Sequence, residues 1–418
     1  MKIRKGVVIA VIGVAFVLST ILCAAGPARA EKPIVFALVE PLSGPFKDSG
    51  LEVSAYLEYA VDQINEKGGL LGRQVELVEL DNQMKPDIAV RMARKAILED
   101  GAAVIMNHNG SAVGLALSKV AKEMNVIYVD LHAAADEITG SEFQTNTFRT
   151  CLSTSMHSGI LAQYFAQSPY KRFYLINEDY AFGHAVSDAF KKVFLKVKKA
   201  DQQIVGEDFH PLATKDFGPY ITKALAAKPD VIITGNFGPD LALINQGRDL
   251  GLKAVIGAYY LDVPIFMNQV RDAALGSVTA EIYMAALKTK KNLDFIKSYQ
   301  AWLKKRHPDR PPHFLVPSSA AADAEGVSFL AEAIKKAGSI DADKVVQAWE
   351  GMSFEGLAGK MTMRACDHQI QAPGVVGMIQ KDHAFRNILD FPLPGTVVVI
   401  PAVQIAVPPE ETGNPRCK

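Results

Sequence analysis

An excess of charge of either sign is missing from this sequence. Its 418 residues include 45 basic and 45 acidic side chains, so the formal net charge is zero. A balanced chain offers no basic footprint for DNA or RNA, and we expect no nucleic-acid partner. The apolar share of 49% and the charged share of 22% are ordinary for a globular protein and exclude a disordered or collagen-like chain.

Catalytic motifs are missing as well. The chain contains none of the patterns HExxH, GxSxG, GxGxxG or GxxxxGK followed by Ser or Thr. Its histidines also lack the sequence spacing of metal ligands, so we expect no enzyme, no cofactor and no metal site. The histidines considered are His108, His132, His157 and His184.

Long apolar runs are confined to the N-terminus. Three basic residues precede the uncharged apolar residues 6–22, and the small residues Ala28 and Ala30 flank Arg29 just before Glu31. This pattern predicts a signal peptide over residues 1–30 that is removed on export. A transmembrane anchor is the alternative, but the apolar core is short for a bilayer.

Cysteine is scarce, with four residues in the whole chain. Cys23 lies in the leader, and the bulky Leu22 before it argues against lipoprotein processing. Export implies an oxidising compartment, and the three remaining cysteines allow one intramolecular bridge. We expect Cys366 to pair with Cys417, which would tie the C-terminal tail to the body and leave Cys151 as a buried thiol. Three reduced cysteines stay an open alternative, because sequence does not determine connectivity.

The clearest local pattern lies between residues 102 and 135. The apolar residues 102–106 predict a buried strand, a polar turn follows, and helical spacing over residues 113–124 places Ser111 at a helix N-terminus. A second apolar run over residues 126–129 predicts the next strand. Backbone amides and a hydroxyl at such a terminus suit a carboxylate or phosphate. An ordinary strand–helix–strand unit with a serine cap is the alternative.

The same alternation runs through most of the chain. Strands and helices alternate over residues 34–150 and again over residues 173–258, which predicts two similar α/β lobes with parallel sheets. The chain is expected to cross out of the first lobe near residues 147–150 and to return near residues 276–286. Lobe one would thus comprise residues 31–150 and 278–358, and lobe two residues 151–277 and 359–418.

Several short segments resemble the periplasmic binding proteins of the Leu/Ile/Val type over nearly the whole mature chain. They are Ser43-Gly44-Pro45, residues 64–69 with Leu71-Gly72-Arg73, Asp81, the turn at Ser111, Ala133-Ala134, Phe148-Arg149-Thr150 and residues 180–183. The resemblance implies a type I periplasmic binding protein fold, in which two doubly wound Rossmann-like lobes, joined by a three-strand hinge, close over a small solute. It further implies a monomeric, periplasmic substrate-binding component of an ABC importer. Its partners would be an inner-membrane permease and cytoplasmic ATPases.

The resemblance also implies a set of ligand-binding residues. Ser111 and the backbone amides of His132, Ala133 and Ala134 match the positions that hold the ligand carboxylate. The ligand-facing positions of lobe two correspond to Phe182, Phe237 and Tyr259. Core packing is the alternative role for these aromatic residues.

Two residues depart from the amino-acid binders of this family. Ala134 stands where those proteins commonly have a Thr, and Tyr259 stands where they have an acidic residue against the ligand ammonium. Burial of an ammonium without an anionic partner is unfavourable. The sequence therefore favours a carboxylate without the amine, an aromatic or aliphatic acid, with an amino acid next. A ligand-binding sensor module and an amide- or urea-type binding protein are the other readings.

One further segment carries chemistry-bearing residues. Residues 363–369 resemble a segment found in a subset of the same family and include the pair Asp367-His368. The pair could suggest a metal site or a catalytic dyad, but no nucleophile or third ligand lies at a recognisable spacing. A structural role between the lobes is therefore expected.

Overall fold

Two β-sheets, each covered by helices, organise the chain. A computed structural model of the protein describes residues 32–212, 214–235 and 239–418. The expected signal peptide over residues 1–30 lies outside the described residues, as does Phe237. Within the described part, no helix combines the length and the apolar character that a bilayer crossing needs.

The first sheet has five strands, all of them parallel. The strands are β1 Ile34–Glu40, β2 Val75–Asp81, β3 Ala102–Asn107, β4 Ile127–Asp130 and β5 Thr147–Arg149, and the helices between them are α1 Lys47–Glu66, α2 Pro86–Leu98 and α3 Ser111–Met124. The strand order is β2-β1-β3-β4-β5. The central strands are buried along their length because helices cover both faces, which explains their almost continuous apolar sequences.

The second sheet repeats the alternation of strands and helices and has antiparallel strands at one edge. Its strands are β6 Arg172–Glu178, β7 Gln203–His210, β8 Val231–Ile233, β9 Val255–Ala258, β10 Val278–Glu281, β14 Gly374–Gln380 and β15 Leu393–Ile400. Their order is β15-β14-β10-β9-β8-β6-β7, and β14 runs antiparallel to both β10 and β15. Its helices are α4 Thr154–Gln167, α5 Ala181–Val197, α6 Gly218–Ala227, α7 Pro239–Asp249 and α8 Pro264–Val270.

Three later helices return to the first sheet. They are α9 Lys290–Arg306, α10 Ala321–Ala337 and α11 Ala342–Trp349, of which α9 and α10 pack on α1. The ring of Tyr299 stacks on Tyr56 at 4.7 Å between centroids, and Trp302 donates a 2.8 Å hydrogen bond to Asp62. Two separate stretches of the chain therefore build the first half of the protein, which is the first sheet with helices α1–α3 and the returning helices α9–α11. The second half is the second sheet with its helices. The expected α/β fold, with two halves built on mainly parallel sheets, is confirmed.

The boundary expected at residue 278 differs from the structure. Strand β10 pairs with β9 and β14, so the chain leaves the second sheet only after Glu281. Short apolar strands look alike in sequence whichever sheet they join, and only the pairing partners assign them. The other lobe limits stay a prediction.

A small third sheet leads the chain back to the second half. It consists of β11 Ser353–Glu355, β12 Lys360–Met363 and β13 Ile370–Gln371, and a last short helix, α12 Ala402–Ile405, follows β15. Between β12 and β13, Gln369 forms a bridge with Arg149 at the end of β5. Two of the crossing segments therefore lie side by side.

The cysteines adopt the arrangement expected from the sequence. Cys366 is bonded to Cys417, which fastens the C-terminal tail to the segment between β12 and β13. Cys151 is a buried free thiol, and burial raises its pKa well above the usual range, so it stays protonated and unreactive.

The Asp367-His368 pair is part of this crossing. Asp367 binds Arg364 in an ion pair, while the two ring nitrogens of His368 lie 2.9 Å from the carbonyl oxygen of Thr147 and 2.8 Å from Glu350. Each side chain has protein partners that hold the segment in place. These contacts agree with the structural role expected for the pair, which stays a prediction.

Candidate functional site

A cleft of about 480 Å³ lies between the two halves, at the carboxyl ends of their parallel strands. This is the edge at which open α/β sheets bind ligands, and the volume suits a small solute. The first half and its returning segment contribute Phe46, Ser49, Glu52, Met84, His108, Asn109, Gly110, Ser111, Ala112, Val113, His132, Ala133, Ala134, Ser318, Ser319 and Ala320, and the second half contributes Tyr180, Phe182, Tyr260, Val263 and Phe266.

The N-terminus of α3 forms one end of the cleft. Gly110 is the cap residue, and Ser111 is the first helical residue, not the cap. Gly110 has φ +90°, and a Cβ there would lie 2.8 Å from the sulfur of Met84, so glycine suits both the backbone and the close approach. The first amides of the helix have no partners within the helix itself, so this end of the cleft can bind an anion.

A buried carboxylate holds the turn that precedes this helix. Glu40, at the end of β1, accepts hydrogen bonds from the amides of His108 and Asn109 and from the side chain of Asn107. Burial raises the pKa of Glu40, while the nearby His108 opposes the rise. The turn is therefore fixed by contacts inside the first half before any solute enters.

His108 lies beside the N-terminus of α3 and forms a buried ion pair. Its Nδ1 is 2.7 Å from Asp323 on α10. Burial alone would lower the pKa of His108, but neighbouring carboxylates, Asp323 first, outweigh it and raise the pKa to about 9. Sequence reasoning did not select His108, although its position directly after β3 was a usable signal.

The loop after β4 forms the adjoining wall. The amide of Ala133 donates to Asp130 at 2.7 Å, and the amide of Ala135 donates to the hydroxyl of Ser111 at 3.2 Å. The Ala133 amide is therefore already occupied. Across residues 32–212, 214–235 and 239–418, no acceptor contacts the amide of Ala134, which leaves it as the loop's donor to the cleft.

Arg149 fixes that loop from behind. The guanidinium is buried and donates to the carbonyl oxygen of Ala135 at 2.5 Å, to Thr139 at 2.7 Å and to Gln369 at 2.5 Å. One side chain thus links the cleft loop, strand β5 and the third crossing segment.

Aromatic side chains form the opposite wall. Phe182 lines the cleft as expected, and Tyr180, Tyr260 and Phe266 join it. Tyr259 does not line the cleft; it is 3% exposed and its hydroxyl lies 2.6 Å from that of Ser158. The next residue, Tyr260, faces the cleft instead.

The conformation of the backbone explains why Tyr260 lines the cleft where Tyr259 was expected to. Strand β9 ends at Ala258, and Tyr260 has φ +60°, a left-handed conformation that redirects its side chain. Burial raises the pKa of the Tyr260 phenol well above its usual range, so the ring stays neutral. This wall therefore offers ring surface and uncharged hydroxyl groups.

Glu52 is a cleft residue that sequence reasoning missed. It lies on α1, next to the buried Val53, and accepts a 2.7 Å hydrogen bond from the hydroxyl of Ser318. Burial raises the pKa of Glu52 to about 7. The signal was an acidic residue within the apolar face of a helix, a position where an unpaired charge is unfavourable.

Comparison with known proteins gives consistent matches over most of the chain. A family model described as a periplasmic binding protein matches residues 33–384. The chain is similar to the Leu/Ile/Val-binding protein homolog 4 of Brucella abortus (strain 2308), with 30% identity over 375 residues that cover 86% of this chain and 87% of that protein.

Solved structures agree with the fold. The chain is similar to the leucine-, isoleucine-, valine-, threonine-, and alanine-binding protein from Brucella ovis in a closed conformation, with a TM-score of 0.80, 28% identity and coverage of 90% of this chain and 97% of that one. A solute-binding protein of an ABC transporter from Rhodopseudomonas palustris BisB5, solved with 3,4-dihydroxy benzoic acid, matches with a TM-score of 0.73 and 24% identity, covering 88% and 96% of the two chains.

Proposed function

This chain belongs to the periplasmic binding proteins, as a substrate-binding protein of the branched-chain amino acid type of ABC transporter, and we propose that its cleft captures a small carboxylate-bearing solute without an amine. The pattern of residues 1–30 supports export to the periplasm. There the loaded protein would deliver its solute to an inner-membrane permease that cytoplasmic ATPases drive.

The asymmetry of the cleft carries this proposal. One end presents the N-terminus of α3, the hydroxyl of Ser111 and the amide of Ala134, all of them suited to a carboxylate. The other end presents the rings of Phe182, Tyr260 and Phe266. An acid with an aromatic or apolar far end would place each part against matching chemistry. The fold can hold such a solute, since the R. palustris protein binds a hydroxylated benzoic acid.

An α-amino acid is the second candidate, and Glu52 is the observation that favours it. Among the described residues that line the cleft, Glu52 is the one carboxylate, and the Brucella relatives are named for Leu, Ile and Val. An ionised Glu52 could pair with a ligand ammonium. Its raised pKa and its bond to Ser318 make it a poorer partner than a carboxylate on the second half would be.

Substitution of Glu52 by Gln separates the two candidates. As pH rises through about 7, Glu52 ionises. For an acid, the new negative charge repels the solute, so wild-type affinity should fall roughly tenfold between pH 6 and pH 8 and stay flat in the Gln variant. For an amino acid the slope reverses, and the Gln variant binds more weakly at pH 8. Calorimetric titrations at the two pH values measure both slopes, and Gln keeps the acceptor for Ser318.

Removal of the Ser111 hydroxyl tests the carboxylate seat. Loss of one hydrogen bond to a charged group costs about 1.5–3 kcal/mol, so Ser111→Ala should weaken solute binding roughly ten- to a hundredfold. The matched control is Ser118→Ala on the same helix, where the hydroxyl donates to the carbonyl oxygen of Leu115. If the two variants bound the solute with equal affinity, Ser111 would not be a ligand-binding residue.

Closure of the two halves should accompany binding. Each half supplies only part of the cleft wall, and the related Brucella ovis protein is described in a closed conformation. Small-angle X-ray scattering should therefore show a smaller radius of gyration at saturating solute. An unchanged radius would argue for a rigid cleft, and the concentration dependence of the same data would test the expected monomer.

A thermal-shift screen of the mature protein identifies the solute class. A ligand that binds only the native state raises its stability by mass action. Aromatic acids, aliphatic acids, amino acids and amides are the four arms of the screen. Stabilisation by the acids alone supports the proposal, whereas stabilisation by amides alone would favour the amide- or urea-type binding protein.

A further inference from the structure

A buried histidine without hydrogen-bond partners forms part of the cleft wall. The side chain of His132 is almost fully buried, and neither of its ring nitrogens has a hydrogen-bond partner within the described part of the chain. Leaving even one buried donor or acceptor unsatisfied costs about 1–3 kcal/mol. The unsatisfied ring nitrogens of His132 therefore indicate that a bound group contacts them in the functional protein.

Two further ligating side chains surround it. Nε2 of His132 is 3.8 Å from Oε2 of Glu281, and Nε2 of His157 is 3.2 Å from the same oxygen. The three ligand atoms all lie within 4.8 Å of one another. Ligands about 2.0–2.1 Å from a tetrahedral zinc ion are separated by roughly 3.3 Å, so small side-chain movements would bring this set to bonding distance.

The outer contacts of these side chains are those of metal ligands. Nδ1 of His157 lies 3.1 Å from the carbonyl oxygen of Ser153, and its hydrogen bond there would leave Nε2 as a lone-pair donor. The second oxygen of Glu281 accepts from the amide of Tyr260 at 3.3 Å. A backbone carbonyl and a backbone amide thus orient two of the three groups.

His108 is not part of this set. Its Nδ1 is already 2.7 Å from Asp323, and its ring stacks on His132 with centroids 4.4 Å apart and planes 16° from parallel. A metal ion lies in the plane of each imidazole that binds it. Stacked rings cannot share one ion, whereas His132 and His157 are inclined by 53°.

We propose that His132, His157 and Glu281 bind one divalent transition-metal ion, with Zn²⁺ as the best match. Two imidazoles and a carboxylate are a zinc ligand set, while Mg²⁺ and Ca²⁺ prefer oxygen ligands alone. Three protein ligands leave a position for water. The ion would join the loop after β4 to α4 and β10, and so tie the first half to the second. This inference does not depend on the solute class.

The ligands were invisible in the sequence because their spacing is irregular. His132 and His157 belong to different elements, and Glu281 lies at the end of a strand more than a hundred residues further on. We expected no metal site because the histidines lack the sequence spacing of metal ligands. That reasoning does not apply to this cluster, whose members come together only in the fold.

Metal titration of the untagged mature protein tests the proposal. After treatment with EDTA and dialysis, calorimetry with Zn²⁺ should give one ion per chain, and Co²⁺ should give the absorption of a tetrahedral site. His132→Phe and Glu281→Gln should each lower the Zn²⁺ affinity at least about a hundredfold. His184→Gln is the control, because His184 is exposed and paired with Asp179, and it should bind as the wild type does.

Two controls distinguish the loss of a metal ligand from misfolding of the variant. Circular dichroism reports whether each variant is folded, and the isosteric Glu281→Gln keeps the acceptor for the Tyr260 amide. No stoichiometric Zn²⁺ binding by the wild type, or wild-type affinity in both variants, would overturn the proposal. Solute titration of the metal-free protein measures the cleft separately, so a failed metal site leaves the proposed function testable.

Discussion

Substitution of Arg149 by Met is expected to lower the free energy of unfolding by about 3–5 kcal/mol, because it leaves several buried acceptors unsatisfied at about 1–3 kcal/mol each. Arg149 is 1% exposed, and its guanidinium donates to Ala135, Thr139 and Gln369. Met fills a similar volume but leaves these buried acceptors without donors. Urea unfolding followed by circular dichroism measures the change.

Arg94→Met provides the matched control. Arg94 forms an ion pair with Glu123 at the surface, where the two side chains are 39% and 60% exposed. A surface pair of this kind contributes about 0–1 kcal/mol, so the control should unfold close to the wild type. If Arg149→Met also changed stability by less than about 1 kcal/mol, the network around the cleft loop would not be a structural anchor.

The same substitution should weaken solute binding in the protein that remains folded. Arg149 holds the carbonyl oxygen of Ala135, and the neighbouring Ala134 amide is the loop's donor to the cleft. A looser loop must be ordered again on binding, which subtracts from the affinity. Stability and binding are therefore coupled through this side chain, although it does not line the cleft.

Much of the first half of the cleft could be predicted from the sequence. The apolar runs at β3 and β4 and the helical spacing after Ser111 are local patterns, and they placed Ser111, His132, Ala133 and Ala134 on one edge of the sheet. Strand and helix periodicity depends on near neighbours, which is why these elements were found within a residue or two.

The residues that were missed depend on distant contacts. Glu52 faces the cleft because α1 meets Ser318 from the returning segment, a contact between residues 266 positions apart. Tyr260 replaces Tyr259 because of one left-handed residue after β9, which periodicity does not report. Two elements were missed for a local reason. Helix α4 is buried on most sides, and half of the residues of strand β7 are polar without alternating strictly with apolar ones, so neither shows the period that marks its type.

The largest effect on binding is expected from the ligand amine itself. Leucine and 4-methylpentanoate differ only in the α-ammonium group, as do phenylalanine and 3-phenylpropanoate. The α-ammonium lies next to the ligand carboxylate, and Glu52 is the one carboxylate among the described residues that line the cleft. At pH 6 Glu52 is mostly neutral, because burial raises its pKa to about 7. An ammonium buried without an ionised partner loses at least about 3 kcal/mol, so each acid should bind at least roughly a hundredfold more tightly than its amino acid.

Isothermal titration calorimetry of the mature protein with these two matched pairs, at pH 6 where Glu52 is mostly neutral, tests whether the solute lacks an amine. We expect measurable binding of an acid and at least about a hundredfold weaker binding of the amino acid that corresponds to it. Leucine or phenylalanine that bound as tightly as its deaminated partner, or more tightly, would establish an amino acid as the solute.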